Sequence, residues 1–407
     1  MTKCFKISKD EARKITVNAQ LLDGQAKIPK TKNGVVKIIE QLGYVQIDTI
    51  HIVERAHNHT LWARHPSYKP EMLHSLQAKG RKVFEYRGHA ASYLPMSDFR
   101  YYLPWKKAYD DPHGKWEKDR MEKFGHLMKP VLNRIKKEGP LGSADFEKDA
   151  DKKSGTWWDW RPYKVALELL FWKGDLMITE RKNFHRIYDL TERVLPDWVD
   201  TKYPSDDEVG RFLVRKALQA HGIMQERGIH QHIRAISRKV MTKSLKEMVD
   251  EGEVVEVEVE GTKGKKYYAS ENDLKNAHKK AESKEVNILC PFDNLIIYRD
   301  RTLDLFNFDY SLECYTPEKK RKFGYFVHPI LYGNNLIGRM DPRADRKAGI
   351  YQVLNLSFEK GFKPDDEFLN KLGEKLSKVC EFNGCGEVEV LKTTPAGIKS
   401  KLKKILK

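Results

Sequence analysis

Two polar side chains, Gln46 and Asp48, lie two residues apart within the largely apolar stretch 44–50. In an extended segment, residues i and i+2 face the same side, so these two side chains project together while Val45 and Ile47 face the other way. A carboxylate beside an amide can hold and deprotonate one water molecule, because the carboxylate accepts the proton and the amide fixes the position of the water. The same spacing is typical of the solvated face of an amphipathic strand, so the spacing alone does not decide between the two interpretations.

The composition narrows the class of protein. The 407 residues include 75 Lys and Arg against 58 Asp and Glu, a formal net charge of +17. This excess favours a polyanionic partner, and nucleic acid more than a membrane. The sequence has no apolar run long enough to span a bilayer, and its first residues lack the apolar core of a signal peptide. The five cysteines are scattered and have neither a disulfide framework nor a zinc spacing. We therefore expect a cytoplasmic protein without a metal or another cofactor.

Ionisable residues follow the Gln46–Asp48 pair closely. Glu54, His57 and Arg64 are candidates to support Asp48. Glu54 could instead pair with a local arginine, and His57 could contact a phosphate. Three nearby histidines, His51, His57 and His59, could bind a metal ion, but their spacing matches no recognised metal site.

The elements that position these residues are predicted from apolar periodicity and from capping and turn residues. The predicted helices are 9–22 with Ser8 as N-cap, 35–42 ending at Gly43, 121–139 with a bend at Pro130, 143–149, 161–173, 207–222, 237–251 and 366–381. Basic hairpins are predicted at 176–190 and 253–270, and a hairpin turn at 333–335. The strand that carries Gln46 and Asp48 directly follows Gly43.

A pattern recurs along the first 284 residues. An apolar residue, six further residues, a glycine, any residue and an apolar residue occur at Val36–Gly43–Val45, Leu167–Gly174–Leu176 and Leu245–Gly252–Val254. Helices followed by a basic hairpin are typical of a winged helix, whereas a set of unrelated helical hairpins is the alternative. We predict an α+β protein with three tandem winged-helix modules, 1–118, 119–204 and 205–284, and a β-rich C-terminal domain, 285–407.

Basic residues near the predicted hairpins and on the third helix of the second module are candidates for DNA backbone contacts, which require only Lys or Arg near the surface. They are Arg161, Lys164, Arg181, Lys182, Arg186, Lys263, Lys265 and Lys266. The tryptophans at 157, 158 and 160 could stack on bases, although aromatic residues ahead of a helix usually pack in a core.

Several stretches together resemble the YcaQ/AlkZ family of bacterial winged-helix DNA glycosylases. They are LGYVQIDTIHIVERAHNHTLWAR, WWDWRPYKVALELLFWKGDL followed by HRIYDLTERVLP, CPFDNLIIYRDRTLDLFNFDY, and FGYFVHPILYGNNLIGRMDPRADRK. They are spread over nearly the whole chain and occur in the family's order. The family's catalytic signature is Gln-Φ-Asp or Gln-Φ-Gln, where Φ is apolar. Gln46-Ile47-Asp48 matches the first form, which resembles the YcaQ branch of broader specificity.

The resemblance implies three winged helices around a DNA-sized concavity and an enzyme that hydrolyses the N-glycosidic bond of N7-alkylated guanine, including bulky adducts and interstrand crosslinks. Asp48 would activate water and stabilise oxocarbenium charge, while Gln46 would position the water. Because water is the nucleophile, the expected glycosylase is monofunctional. It needs no cofactor, and its partner is double-stranded DNA containing alkylated or crosslinked guanine.

Two other functional classes are consistent with the basic composition. A winged-helix transcriptional regulator would explain the charge and the hairpins, but it leaves the Gln46–Asp48 pair without a role. Such regulators are usually dimers that read spaced half-sites, whereas three fused modules can surround DNA as a monomer. An RNA-binding protein is the third interpretation, and the sequence lacks the aromatic and GXXG signatures of the common RNA-binding modules.

Overall fold

The computed structural model describes residues 4–112, 114–147, 162–234, 236–262, 264–277 and 283–407. Within these ranges the chain is a mixed α+β protein with four β-sheets. No helix in the described part of the chain is long and apolar enough to cross a bilayer.

The chain begins with β1 (Cys4–Ile7) and α1 (Lys9–Ala19). The predicted cap is confirmed, because the Ser8 side chain accepts a hydrogen bond from the Glu11 N–H at 3.2 Å and the Glu11 carboxylate accepts one from the Ser8 N–H at 2.8 Å. This reciprocal arrangement satisfies two backbone donors at the start of the helix.

Three units with the same element order follow. The first unit, which carries Gln46, consists of α2 (Lys32–Leu42), β2 (Val45–Gln46), α3 (Ala56–Trp62), α4 (Pro70–Ala78), β3 (Val83–Arg87) and β4 (Ala91–Pro95). Strand β4 lies between β2 and β3, and Gln46 is opposite Ser92. A 3₁₀ helix (Met96–Tyr102), α5 (Leu103–Lys107), α6 (Lys115–Phe124) and a second 3₁₀ turn (Gly125–Leu127) lead to the next unit.

The second unit consists of α7 (Met128–Glu138), β5 (Leu141–Gly142), α8 (Ser143–Glu147), α9 (Pro162–Lys173), β6 (Leu176–Lys182) and β7 (His185–Leu190), followed by α10 (Thr191–Val194). The predicted single helix 121–139 is divided into α6 and α7. Pro130 lies in the first turn of α7, where the missing N–H has no intrahelical acceptor to lose, so it does not bend a helix interior.

The third unit consists of α11 (Asp206–His221), β8 (Ile223–Met224), α12 (Glu226–His232), α13 (Arg238–Asp250), β9 (Val254–Val259) and β10 (Lys266–Ser270), followed by α14 (Glu271–Ala277). In every unit the short strand pairs with the last strand of the hairpin, as β2–β4, β5–β7 and β8–β10.

The three glycines of the predicted repeat do not occupy equivalent positions in the three units. Gly174 and Gly252 follow the third helix of their units, whereas Gly43 follows the first helix of its unit. The counterparts of Gly43 are Gly139 and Gly222, and all five have positive φ. A glycine with positive φ ends a helix readily before a strand, so both helix–strand junctions of a unit produce the same sequence pattern.

Strand β1 lies in the sheet of the third unit, not of the first. It pairs in parallel with β9, with Cys4 opposite Glu256 and Ile7 opposite Val259. This placement differs from the predicted division, which put residues 1–118 in one module. A short edge strand far away in sequence carries no local signal of its pairing partner.

The C-terminal part contains β11 (Val286–Ile288), α15 (Arg299–Phe306), a 3₁₀ turn (Glu318–Lys320), β12 (His328–Tyr332), β13 (Asn335–Asp345), β14 (Ile350–Phe358), α16 (Asp366–Phe382), β15 (Glu387–Val390), β16 (Thr393–Thr394) and α17 (Gly397–Ile405). Its sheet has the order β11-β12-β13-β14-β15, with β16 also on β14. The predicted turn at 333–335 connects β12 to β13.

A buried ion pair joins the first unit to the C-terminal part. The Arg64 guanidinium donates to both carboxylate oxygens of Asp293, at 2.7 and 2.8 Å, and neither side chain is exposed. The same guanidinium donates to the backbone oxygen and side-chain oxygen of Gln20, just after α1. Three distant parts of the chain therefore meet at Arg64.

Removal of this guanidinium should be strongly destabilising. Arg64→Met leaves the Asp293 carboxylate buried without its cation, so we expect the free energy of unfolding in urea to fall by about 3–5 kcal/mol. Lys401→Met, which removes the exposed Lys401–Asp366 pair, is the control and should cost about 1 kcal/mol or less. Equal losses in the two variants would contradict a structural role for the buried pair.

Candidate active site

Gln46 and Asp48 lie at the end of β2. The strand pairing continues one residue beyond β2, because the Ile47 N–H donates to the Ala91 carbonyl at 2.8 Å. Val45 and Ile47 pack into the same apolar cluster, as the alternation predicts. Gln46 and Asp48 therefore project away from that cluster.

The Gln46 side chain has an unused acceptor. It is 9% exposed, and its Oε1 atom has no hydrogen-bond partner among the described residues. A buried oxygen without a donor is costly, so this atom is suited to accept a hydrogen bond from a bound water or substrate.

Asp48 is half-buried and lies just beyond the strand. One carboxylate oxygen accepts the Ile50 N–H at 2.8 Å. Burial raises the pKa of Asp48, while the backbone hydrogen bonds and the Arg55 guanidinium act in the opposite direction. The carboxyl group thus combines access to solvent with raised basicity, and a general base needs both.

The loop after Asp48 is fastened by the C-terminal part of the chain. The Ala344 N–H donates to the Ile52 carbonyl at 3.0 Å, and the Glu54 N–H donates to the Asn383 side chain at 2.6 Å. Residues from β13 and from the end of α16 therefore hold the segment that follows Asp48.

Glu54 organises the start of α3. Its Oε1 atom accepts hydrogen bonds from the Arg55 N–H and from the Asn58 amide, both at 2.9 Å. The Nε2 atom of His51 lies 3.8 Å from the other carboxylate oxygen. Glu54 thus has local partners at the beginning of the helix, and its predicted support of Asp48 stays a prediction.

His57 is buried between aromatic rings. Its ring lies 5.9 Å from that of Phe184 with nearly parallel planes, and 5.7 Å from that of Tyr93. Burial, together with the positive charges of Arg181 and Arg55, lowers the pKa of His57 to about 3. The imidazole is therefore neutral near neutral pH and offers no positive charge to a phosphate. The predicted support of Asp48 by His57 stays a prediction.

The Arg64 side chain binds groups inside the protein. This corrects its predicted role as a support for Asp48. Its donors are directed to Asp293, Gln20 and the Thr60 carbonyl. Sequence proximity to Asp48 suggested a functional arginine, but the carboxylate that binds it belongs to a distant segment.

The hairpin of the second unit is packed against the first unit. Arg181 donates to both carboxylate oxygens of Glu85, at 2.7 and 2.6 Å, and to the Phe184 carbonyl. Arg186 approaches the same carboxylate at 3.9 Å. These two arginines were predicted to contact DNA, but in the structure Arg181 is hydrogen-bonded to the nearly buried Glu85 and Arg186 lies close to the same carboxylate. Lys182 remains 67% exposed.

The other predicted DNA contacts are exposed or lie outside the described residues. Lys265 pairs with Asp304 and Lys266 with Glu256; the Lys265 side chain is 45% exposed and the Lys266 side chain 68%. Lys164 is exposed at the start of α9. The positions outside the described residues are Arg161, Lys263 and the tryptophans at 157, 158 and 160.

A loop that the sequence patterns did not single out lies within electrostatic range of Asp48. Tyr315 is 84% exposed, and the nearby Cys314 and Asp48 are among the causes that raise its pKa. The loop is held by Glu313, whose carboxylate accepts the N–H groups of Lys322, Phe323 and Gly324 at 2.9–3.1 Å. The local signal was the basic run 319–322 beside an exposed aromatic residue.

Comparison with known proteins gives the family. The model of the family described as DNA glycosylase AlkZ-like matches residues 39–382. The chain belongs to the AlkZ-like DNA glycosylases. These enzymes are hydrolases acting on N-glycosyl bonds. Membership decides against the regulator and the RNA-binding protein as the primary function.

The solved structure of the Streptomyces sahachiroi DNA glycosylase AlkZ shares the fold of this glycosylase. The TM-score is 0.67 and the sequence identity is 14%, and the match covers 95% of this chain and 100% of that chain. The arrangement of elements is therefore retained despite extensive change in sequence.

A metal site is not formed by the described residues of this glycosylase, among which no three His, Cys, Asp or Glu side chains are placed to hold an ion. His59 illustrates the reason, since its Nε2 atom lies 2.8 Å from the Ile288 carbonyl, inside the protein. Its neighbours His51 and His57 face other surroundings.

Tyr315 should contribute to DNA binding. An exposed aromatic ring can stack on a base, and its removal typically costs about 1–3 kcal/mol, or about 5–150-fold in affinity. We expect Tyr315→Ala to weaken duplex binding in that range in a fluorescence titration, without lowering thermal stability. Tyr315→Phe retains the ring and should bind like the wild type. Unchanged binding by Tyr315→Ala would show that this side chain does not contact the duplex.

Proposed function

We propose that this DNA glycosylase removes N7-alkylated guanine from duplex DNA, including bulky adducts and interstrand crosslinks, with Asp48 as the catalytic carboxylate. The observation that carries the assignment is the position of Asp48 and Gln46. They project away from the apolar cluster that contains Val45 and Ile47, and the pair combines a half-buried carboxylate with an unpartnered amide oxygen.

The chemistry of the substrate fits a single carboxylate. Alkylation at N7 places positive charge on guanine and makes it a good leaving group. As the base departs, positive charge develops on the sugar, and a carboxylate in a partly desolvated site stabilises that charge. Asp48 has the partial burial that strengthens this interaction. It then takes a proton from the attacking water.

Gln46 positions the water. Its Oε1 atom accepts one hydrogen bond from the nucleophile, which directs the oxygen lone pair towards the sugar and leaves a proton for Asp48. Since water is the nucleophile, no covalent bond to an enzyme lysine forms, and the DNA strand stays intact after base release.

We further propose that the three repeated units are winged-helix modules that bind the duplex around the Asp48 site as a monomer. The order of helix, short strand, two helices and hairpin, with the short strand paired to the hairpin, supports this interpretation. The exposed basic residues proposed to contact backbone phosphates are Lys164, Lys182, Lys265 and Lys266. Arg161 and Lys263, which lie outside the described residues, are proposed for the same role from the sequence alone.

The catalytic assignment predicts the effect of two substitutions. In single-turnover excision from a duplex with one N7-methylguanine, Asp48→Asn should lower the rate constant by about 10²–10⁴-fold, because the base is lost. Gln46→Ala should lower it by about 10²-fold through misplacement of the water. Both variants should bind the duplex normally. A duplex with a nitrogen-mustard crosslink should give the same order of activities.

The matched control is Thr49→Ser, at the exposed position next to Asp48. It should excise at the wild-type rate. Excision that survives Asp48→Asn would assign the chemistry to another group, and tight binding without release of either lesion by the wild type would reject the proposed substrate class.

The pH dependence provides a separate test. Only the ionised form of Asp48 can accept a proton, so the single-turnover rate constant should fall as the pH falls through its pKa. Since burial raises the pKa of Asp48, the inflection should lie above the ordinary carboxyl value of 3.8. Rates corrected for spontaneous base loss should level off at higher pH. A rate that increases towards low pH would contradict Asp48 as the base.

A further inference from the structure

An arginine-lined cavity of about 300 Å³ has neither Gln46 nor Asp48 among its lining residues. It is formed by the turn between β3 and β4, by α12, and by the beginning of α15. Four arginines line it, namely Arg227, Arg234, Arg299 and Arg301. Asp300 is the only acidic residue among the described lining residues, and its carboxylate lies 3.2 Å from Arg227. The other three guanidinium groups have no carboxylate partner among the described residues.

Arg301 is the most deeply buried of these arginines. It is 2% exposed, and its Nη2 atom donates to the backbone oxygens of Asn294 and Leu295 at 3.3 and 2.9 Å. Its Nε and Nη1 atoms have no partner among the described residues. Burial lowers the pKa of Arg301 to about 10, because the interior disfavours the charged form of the side chain. Two donors of this buried guanidinium, in a residue that lines the cavity, are therefore unmatched among the described residues.

Arg299 is held in a fixed orientation. Its Nη1 and Nη2 atoms donate to the backbone carbonyls of Ile296 and Pro291 at 2.7 and 2.9 Å. Its guanidinium lies 4.4 Å from the centre of the Tyr310 ring. These contacts involve no acidic group, so they position the charge without neutralising it.

The beginning of α15 adds to the positive potential. Arg299, Asp300 and Arg301 form the first turn of this helix, where backbone N–H groups lack intrahelical acceptors and the helix dipole is positive. A helix N-terminus beside guanidinium groups is a favourable place for an anion, because both supply donors to it. The exposed Arg234 stands at the mouth of the same cavity.

We propose that this cavity is a phosphate-binding site. A phosphate group carries negative charge and several acceptor oxygens, which matches fixed guanidinium groups and helix N–H donors. The phosphate could belong to the backbone of the bound duplex or to a free phosphorylated small molecule. The proposal does not depend on which base Asp48 acts on.

The cavity is connected to the catalytic strand through aromatic contacts. The ring of Tyr44, two residues before Gln46, is stacked with His89 at 6.5 Å and lies 4.9 Å from His232. His89 lines the cavity and its Nδ1 atom lies 2.9 Å from the Gln231 carbonyl. A phosphate in the cavity would therefore lie next to His89, whose ring packs on Tyr44 just before β2.

The test uses pyrophosphate as the probe and the full chain. Calorimetric titration at constant ionic strength should show binding to the wild type. Arg234→Gln removes one exposed guanidinium and should weaken binding about 10-fold or more, as loss of a charge-assisted hydrogen bond predicts. Arg215→Gln, an equal change of charge on the exposed side of α11, is the control and should bind like the wild type. Arg301→Met removes the buried guanidinium and should also weaken pyrophosphate binding. If the Arg301→Met variant does not fold, the comparison of Arg234→Gln with Arg215→Gln decides the test.

Affinity for an undamaged duplex, measured at several salt concentrations, identifies the source of the phosphate. If the cavity holds a backbone phosphate, Arg234→Gln weakens duplex binding and reduces the salt slope by about 0.9 relative to Arg215→Gln. If it holds a free ligand, Arg234→Gln weakens pyrophosphate binding while its duplex binding matches that of the control. Identical behaviour of the two variants towards both pyrophosphate and the duplex would overturn the proposal. Excision defects of the Asp48 variants are measured separately and do not affect this outcome.

Discussion

The buried Arg64–Asp293 ion pair is the constraint on which the position of the candidate active site depends. It fixes the end of α3 against the C-terminal part of the chain. Arg64 also donates a hydrogen bond to Gln20, so the end of α1 is held at the same place. At the other end of this segment, β2 is paired with β4. The loop that begins at Asp48 is thus fixed at both ends. An ion pair without exposed atoms cannot be exchanged for water at low cost, so these parts of the chain stay together.

Local features of the sequence predicted local structure well. The cap at Ser8 and the alternation of Val45 and Ile47 with Gln46 and Asp48 depend on residues within a few positions of each other, and the structure contains both. The partners of Arg64 and Arg181 could not be predicted, because Asp293 and Glu85 are distant in sequence. An arginine at a hairpin tip has the same local pattern whether it binds a phosphate or an internal carboxylate. The loop of Tyr315 reaches the site only through the tertiary fold.

The positive charge of the chain is therefore not a uniform surface for DNA. Part of it stabilises the protein, as shown by Arg64 and Arg181, whose carboxylates are internal. Another part, in Arg299 and Arg301, is held by backbone carbonyls and aromatic rings without a described carboxylate. The net charge of +17 indicated a polyanionic partner correctly for a DNA glycosylase, but it did not indicate which cations face that partner.

The parallel pairing of β1 with β9 has a consequence for biosynthesis. Cys4 and its partner Glu256 are separated by roughly 250 residues, a long-range contact of the kind that slows folding. During translation the first strand emerges long before the strand that it joins, at a synthesis rate of about 5–20 residues per second. The sheet of the third unit can be completed only after both have left the ribosome. Until then the edge of β1 is unpaired, and it is a place where a chaperone or another nascent chain can bind.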